Sequence, residues 1–131
     1  MKGSCNCGDV GYSAGNAVNA VVNCHCNLCR KMNGSTFSTY VVVPDEEFEP
    51  IRGELNSVKV SHNATKSFCS RCGTPIYNKN PKFGGLKILY LGSIDSEVSS
   101  QAQFNIYCES RLSWVMQRAS IRSFDQGAVP G

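Results

Sequence analysis

Eight cysteines constrain this 131-residue chain more than any other feature. Most of them fall into three short motifs: a C-x-C pair, a C-x-C-x-x-C trio and a C-x-x-C pair followed by glycine. In a secreted chain such a set would indicate disulfides, whereas in a reducing compartment it indicates metal binding. Cysteines separated by a single residue rarely pair with each other, so the motifs favour metal sites. The motif cysteines are Cys5 and Cys7, then Cys24, Cys26 and Cys29, then Cys69 and Cys72.

Composition narrows the classes of function. The N-terminal stretch lacks the apolar segment of a signal peptide, and no run of apolar residues is long enough to span a membrane. We therefore expect a reducing, cytoplasmic location and no membrane partner. The net charge is +3, but the thirteen basic residues are scattered, with one adjacent pair at Arg30 and Lys31. This pattern argues against nucleic acid as a partner.

The hydrophobic pattern predicts β structure. Short runs of β-branched and aromatic residues are divided by Gly, Pro, Asn and Ser, and the helical period of 3.6 residues is scarce. We therefore predict one mainly β, mostly antiparallel domain over residues 1–131, with one short helix at 27–33. Turns are predicted at 33–35, 44–50 and 78–85. The predicted strands span 9–14, 18–23, 36–43, 57–62, 65–68, 75–79, 86–91 and 103–108.

The C-x-x-C pair supplies two ligands, and a structural zinc site uses four. In one arrangement Cys5 and Cys7 join Cys69 and Cys72, which leaves the trio to itself and closes a loop of about 60 residues as a staple. In the other, the trio takes a thiol from elsewhere and leaves an odd set. Gly73, directly after the pair, can adopt a positive φ and so support a ligand turn. A redox role for the C-x-x-C is the competing interpretation, although no βαβ pattern surrounds it.

The trio of Cys24, Cys26 and Cys29 has one ligand too few for a closed tetrahedral site. Three protein ligands and an open position are typical of catalytic zinc, where water or substrate takes the fourth place. We therefore predict that a substrate thiol supplies the fourth ligand. The alternative is that Cys108 or His25 closes the site. His25 is expected to point away from the metal and into solvent, and Cys108 fits a buried core thiol about as well as a ligand.

Four segments together resemble a known family. "SCNCGDVGY", "CHCNLCRKMNGSTF", "FCSRCGTPIY" and "IYCESRLSW" occur in the order seen in the glutathione-dependent formaldehyde-activating (Gfa-like) family, whose domain also occurs in a centromere protein. The resemblance covers nearly the whole chain. It implies a β-tent fold, in which antiparallel sheets meet over zinc. One departure is Asn105, because many relatives carry a histidine ahead of the segment that matches "IYCESR".

The resemblance also implies an activity, the addition of glutathione to formaldehyde, which gives S-hydroxymethylglutathione and is classed as a carbon–sulfur lyase reaction. A thiol at the open zinc position would be deprotonated near neutral pH. Arg30 and Lys31 follow the last ligand and either hold glutathione carboxylates or form a solvated basic pair. The matching cysteines are Cys5, Cys7, Cys69 and Cys72 for a structural zinc, and Cys24, Cys26 and Cys29 for a second, catalytic zinc that is more easily lost.

Two other classes of function compete with the enzyme. A zinc-stapled thiol carrier or protein-interaction module would have a similar sequence, because glutathione and formaldehyde also combine without a catalyst. A nucleic-acid-binding zinc ribbon would need two separate C-x-x-C knuckles and a basic, aromatic face, and one plain knuckle is present. The aromatic residues are predicted to pack in the core instead. They include Tyr40, Tyr77, Tyr90 and Trp114.

Overall fold

The computed structural model describes residues 1–115 and 121–128 of the chain. In these residues the fold is mainly β, as predicted, with 39% strand and 15% helix. One α-helix, α1, spans Asn27–Asn33, as the sequence predicts. The strands are β1 (Lys2–Ser4), β2 (Gly11–Ser13), β3 (Ala20–Cys24), β4 (Ser38–Pro44), β5 (Glu49–Arg52), β6 (Leu55–Lys59), β7 (Thr65–Cys69), β8 (Pro75–Lys79), β9 (Leu86–Tyr90), β10 (Phe104–Ile106) and β11 (Arg122–Ser123).

The strands form two sheets. The small sheet has the order β1-β2-β5, and the large one has the order β11-β10-β3-β4-β9-β8-β7-β6. The prediction of antiparallel pairing holds for most neighbours, but β10 runs parallel to both β3 and β11. Parallel partners need a long connection, and about 80 residues separate β3 from β10 along the chain. Period-2 alternation carries no information on strand direction, so the sequence pattern did not indicate this pairing.

Three short strands lie outside the predicted set, namely β1, β5 and β11. All four residues of β5 are exposed, so they carry no apolar alternation that would mark a strand. The segment 44–50 was predicted as a turn. It contains a 3₁₀ turn at Asp45–Glu47, and β5 begins within it at Glu49.

The core lies between the two sheets. Val21, Val41 and Leu89 sit opposite one another on β3, β4 and β9, and all three are buried. Tyr12 of β2 belongs to the same cluster, and its ring stacks on Phe48 with centroids 5.1 Å apart. Side chains alternate along a strand, so the neighbouring residues of β3 and β4 face away from this core.

The opposite face of the large sheet carries a second buried cluster. Tyr40 and Tyr90 are opposite each other on β4 and β9, and they pack with Cys24 and Cys29. The prediction that the aromatics are buried is therefore confirmed for Tyr40 and Tyr90. It is wrong for Trp114, whose side chain is 69% exposed.

Helix α1 begins and ends on recognisable signals. The Sγ of Cys26 accepts a hydrogen bond from the N–H of Cys29, which makes Cys26 the N-cap. Gly34 ends the helix in the left-handed conformation, with φ 63°, and its N–H donates to the carbonyl of Arg30. At seven residues α1 is far too short to cross a membrane, and no other helix in residues 1–115 and 121–128 is long and apolar enough to do so.

Strand β1 leads to a testable prediction. A Cβ at Gly3 would overlap the Tyr12 ring and the carbonyl oxygen of Ser93, and the Tyr12 hydroxyl is hydrogen-bonded to Ser93 Oγ at 2.7 Å. We expect Gly3→Ala to lower the free energy of unfolding by about 1–3 kcal/mol, because the added methyl overpacks a full core. The matched control is Gly92→Ala, where a Cβ meets nothing within 4 Å. Urea titrations that give both variants the same stability would contradict this packing.

Candidate metal centres

The first cluster of cysteines contains four sulfurs. The thiols of Cys5, Cys7, Cys69 and Cys72 all lie within 4.8 Å of one another. The sulfurs of Cys5 and Cys7 are 3.5 Å apart, and those of Cys7 and Cys69 are 3.9 Å apart. A tetrahedral zinc with Zn–S bonds of about 2.3 Å places its sulfurs about 3.8 Å apart. The four cysteines therefore fit a closed tetrahedral metal site.

Two similar turns present these four cysteines. Gly8 and Gly73 each follow the second cysteine of a pair with φ near +80°, and each donates its N–H to the carbonyl of the first cysteine. The N–H of Val10 donates to the sulfur of Cys5, and that of Cys72 donates to the sulfur of Cys69. Such N–H donors stabilise thiolates. The positive φ predicted for Gly73 is confirmed.

The four-cysteine cluster joins the two sheets. Cys5 and Cys7 lie in the loop after β1 of the small sheet, whereas Cys69 ends β7 of the large sheet. Thr74 connects the two turns, because its hydroxyl accepts a hydrogen bond from the N–H of Asn6 and lies 3.1 Å from the sulfur of Cys72. Hydrogen bonds with Thr74 lower the pKa of Cys72 to about 5. This joint between sheets matches the β-tent arrangement that the resemblance implies.

The second cluster contains the three sulfurs of Cys24, Cys26 and Cys29, also within 4.8 Å of one another. Cys24 ends β3, Cys26 caps α1 and Cys29 lies in its first turn, so a strand end and a helix start bring them together. The sulfurs of Cys24 and Cys29 are 3.5 Å apart, which again suits a shared metal. In the described chain, no other Cys, His, Asp or Glu belongs to this group.

The trio favours negative charge at Cys26. Hydrogen bonds with Cys24 and Cys29 lower the pKa of Cys26 to about 2, and the same interaction with Cys26 raises the pKa of Cys24. Cys24 and Cys29 are almost fully buried, whereas Cys26 is half-buried. The cluster thus has two enclosed sulfurs and one nearer the surface, an arrangement that suits a metal reached from one side.

Tyr40 contacts the trio, whereas the sequence pattern predicted only core packing for this residue. The Tyr40 hydroxyl lies 3.0 Å from the sulfur of Cys29. The amide groups of Asn33 and Asn78 both donate to the Tyr40 oxygen, so the hydroxyl hydrogen is available to the sulfur. Burial, followed by the nearby charge of Cys29, raises the pKa of Tyr40 and keeps this hydroxyl protonated. Along β4, Tyr40 alternates with the core residue Val41. This alternation was the only signal in the sequence that Tyr40 faces the trio.

Neither candidate for a fourth ligand joins the trio. His25 is only 2% exposed, so the expectation that it is solvated is wrong, and its ring packs on Phe37 with centroids 4.8 Å apart. Its Nε2 lies 3.4 Å from Oδ1 of Asn105. The thiol of Cys108 is half-buried and donates to the carbonyl of Asn105 at 3.4 Å.

Arg30 and Lys31 differ in their surroundings. The guanidinium of Arg30 donates to the carbonyls of His25 and Ser110 and to Oδ1 of Asn27. It therefore ties α1 to a later turn of the chain and is not part of a solvated basic pair. Lys31 is exposed, as that alternative expects.

An apolar cavity of about 340 Å³ adjoins the trio. Several of its lining residues also pack against the cluster that contains Cys24 and Cys29. Four strands, β3, β4, β9 and β10, contribute side chains from the face that carries the trio. The main lining residues are Val22, Val42, Leu86, Ile88, Phe104, Ile106 and Tyr107.

The fold and the two sulfur clusters define a small β protein with two candidate metal centres. The sequence matches the family described as "Glutathione-dependent formaldehyde-activating enzyme" over residues 1–110, and the chain belongs to this family. The resemblance seen in the four sequence segments is thereby confirmed. The matched region includes all seven motif cysteines. That residues 1–131 form one zinc-binding domain stays a prediction.

Two relatives show the range of similarity. A Halomonas elongata protein, provisionally named a glutathione-dependent formaldehyde-activating enzyme, is 25% identical over 126 residues, covering 88% of this chain and 79% of the relative. The crystal structure of a Rhodobacter sphaeroides protein aligns with a TM-score of 0.63 at 19% identity, covering 74% of this chain and 90% of the other. The second comparison concerns the fold alone.

The four-cysteine cluster leads to a second prediction. Cys72 is exposed, so Cys72→Ser changes little packing, yet it removes one of four ligands. We expect loss of about one metal ion per chain and a large fall in the melting temperature, because metal-binding energy is part of the folding energy. Metal analysis and thermal unfolding measure both effects, and a chelator should reproduce them in the parent.

The matched control is Cys108→Ser, since Cys108 is a half-buried thiol outside both clusters. This variant should keep its metal content and its melting temperature. A Cys72→Ser protein with unchanged metal and melting would refute the four-cysteine site.

Proposed function

We propose that this protein is a zinc-dependent carbon–sulfur lyase of the Gfa-like type, which adds glutathione or a similar thiol to formaldehyde or another small aldehyde. The observation that carries this proposal is the trio of Cys24, Cys26 and Cys29. Its three clustered sulfurs fit one metal ion and leave one tetrahedral position for a substrate thiol. Family membership and the name of the Halomonas relative support the choice of glutathione and formaldehyde.

The reaction forms one bond and moves one proton. The thiol sulfur attacks the aldehyde carbon, the second bond of the carbonyl opens onto oxygen, and the thiol proton ends on that oxygen. A zinc ion held by Cys24, Cys26 and Cys29 would supply Lewis acidity and favour the deprotonated thiol. Tyr40 donates its hydrogen bond to Cys29 and fixes that ligand. Val22 and Ile106 pack against the buried cluster that contains Cys24 and Cys29, and they help to exclude water from it.

We assign the four-cysteine cluster to a structural zinc. Its ligands come from turns about 60 residues apart in the chain, and they join the two sheets. A closed set of four ligands leaves no position for substrate. The role of this cluster in the proposed enzyme is therefore to hold the fold that carries the trio.

We place the activity in the reducing cytoplasm. All eight cysteines are free thiols, and the sulfur clusters need them reduced to bind metal. Glutathione as a thiol substrate suits the same environment. A membrane or nucleic acid has no part in the proposed reaction.

A second candidate function is a non-catalytic thiol carrier. Its support is the chemistry around the trio, where the hydroxyl that contacts a trio sulfur belongs to a tyrosine, Tyr40. Tyrosine is a poor proton acceptor near neutral pH because its pKa is about 10. A carrier would bind the thiol at the trio and leave the addition to the uncatalysed reaction.

The trio leads to a third prediction. Cys26→Ser should lose the second metal and any acceleration of hemithioacetal formation from glutathione and formaldehyde. The fold and the first metal should remain, because the three trio cysteines lie within six residues and close no long loop. Glutathione should raise metal retention in the parent, since it supplies a fourth sulfur. Metal content and reaction rate, each measured for the parent and for Cys26→Ser, test the proposal.

Two outcomes would contradict the proposed site. One is a Cys26→Ser protein that unfolds, and the other is a second metal whose fourth ligand is Cys108 or His25. If metal and thiol bind but no rate enhancement appears, the carrier function replaces the enzyme.

Tyr40 leads to a fourth prediction. Tyr40→Phe removes the hydroxyl that contacts Cys29 and keeps the ring that packs on Tyr90. We expect a roughly 10-fold or greater loss of affinity for the second metal, as is typical when the partner of a ligand is removed. Competition with a metal indicator measures this affinity. The control is Tyr77→Phe, because Tyr77 packs on Phe48. Equal affinities in the two variants would show that Tyr40 only packs.

A further inference from the structure

The apolar cavity beside the trio is larger than formaldehyde requires. Its volume of about 340 Å³ lies near the lower end of the range for small-molecule pockets, roughly 300–1,000 Å³. Formaldehyde has a single carbon and would leave most of this space unused. None of the lining residues in the described chain is charged. The cavity therefore suits a hydrocarbon group.

Shared side chains join the cavity to the trio. Val22, Ile88, Ile106 and Tyr107 both line the cavity and pack against the cluster that contains Cys24. Val22 and Cys24 point to the same face of β3, and Ile106 pairs with Cys24 across the parallel ladder. A reacting carbon at the trio and a group in the cavity can thus belong to one molecule.

The backbone is strained where the cavity meets the trio. Tyr107 has φ 57°, and in the described chain it is the only residue other than glycine with a positive φ. Its N–H donates to the carbonyl of Gln126, and the next N–H, that of Cys108, donates to the carbonyl of Phe124. Such conformations persist when the surroundings enforce them, and they concentrate at binding sites.

With glutathione as the thiol, the hydrocarbon group belongs to the aldehyde. Glutathione carries charged carboxylate and amino groups, and their burial in an uncharged cavity without partners is costly. An alkyl or aryl aldehyde has an apolar body and one polar carbonyl. We propose that the cavity binds the hydrocarbon group of such an aldehyde, so that the enzyme prefers medium-chain alkyl or aryl aldehydes to formaldehyde. This inference rests on the proposed thiol–aldehyde addition, and the bonds and proton transferred are the same.

The experiment compares aldehydes on the metal-loaded protein. With glutathione fixed, kcat/KM is measured for formaldehyde, propanal, butanal and pentanal, each corrected for the uncatalysed rate. From propanal to pentanal we expect about a three- to fourfold rise for each added methylene, the value of one buried methylene. Val42→Phe fills the cavity and should lower the ratio of pentanal to formaldehyde activity at least 10-fold. Val58→Phe, on exposed strand β6, adds the same bulk elsewhere and should keep the ratio.

A binding measurement separates this inference from the proposed function. The probe is 1-pentanol, which does not react with thiols, and methanol is its control. Pentanol should shift the methyl NMR signals of Val22 and Ile88 saturably, methanol should not, and Val42→Phe should abolish the shifts. Ala20→Leu, a smaller filling of the same wall, replaces Val42→Phe if that variant fails to fold.

The outcomes are distinguishable. Saturable pentanol binding without acceleration of any aldehyde would refute the proposed reaction and leave the apolar site standing. Acceleration that is independent of chain length, or pentanol shifts that survive both filling variants, would overturn the inference.

Discussion

Side-chain alternation along β3 and β4 is the constraint on which the rest of the structure depends. Val21 and Val41 point into the core between the sheets, and Val22 and Tyr40 point to the opposite face with the trio. A slip of one residue would exchange the two sets and turn Cys24 into the core. The packing energy of the core thus fixes the register, and the register places the sulfurs. The candidate site is therefore positioned by core residues that do not contact it.

The two sulfur clusters depend on the fold in different ways. Cys5 and Cys69 come together only when the small sheet docks on the large one, so a metal there would strengthen a contact between distant parts of the chain. Cys24 and Cys26 are brought together by the end of a strand and the cap of a helix, which form locally. The two clusters therefore differ in how far apart their cysteines lie in the sequence, as well as in their number of sulfurs. The difference in sequence separation supports a structural role for one cluster and a reactive role for the other.

Much of the fold could be predicted from the sequence where an element depends on residues close together in the chain. Helix α1 was predicted at its observed bounds, and in the structure local signals define both ends, because Cys26 caps it and Gly34 ends it. Grouping the cysteines by motif also agrees with the clusters that the structure brings together. Strand β5 was not predictable, because its four residues are all exposed and show no alternation of apolar and polar side chains. The parallel direction of β10 depends on a connection whose path the pattern does not encode.

The positions of Tyr40 and His25 at the candidate site were not predicted, because they also depend on contacts between distant parts of the chain. Alternation says that Tyr40 and Val41 face opposite sides, but only the assembled sheet says which side holds Cys29. His25 was expected in solvent because it is a single polar residue between ligands. Its burial against Phe37 depends on packing from beyond the motif. Functional contacts made across strands were therefore less predictable than ligands made within a motif.

A chain of hydrogen bonds links the ammonium group of Lys66 to the trio. Lys66 donates from Nζ to Oδ1 of Asn33, Asn33 donates to the hydroxyl of Tyr40, and that hydroxyl faces the sulfur of Cys29. A lysine in direct contact with the sulfur would neutralise the negative charge that makes a metal-bound thiolate reactive. Two intervening hydrogen bonds let the ammonium group polarise Tyr40 while leaving the charge on the sulfur. Tyr40 and Cys29 are buried, whereas Lys66 and Asn33 are half-buried, so the low dielectric constant strengthens the contact between Tyr40 and Cys29 most.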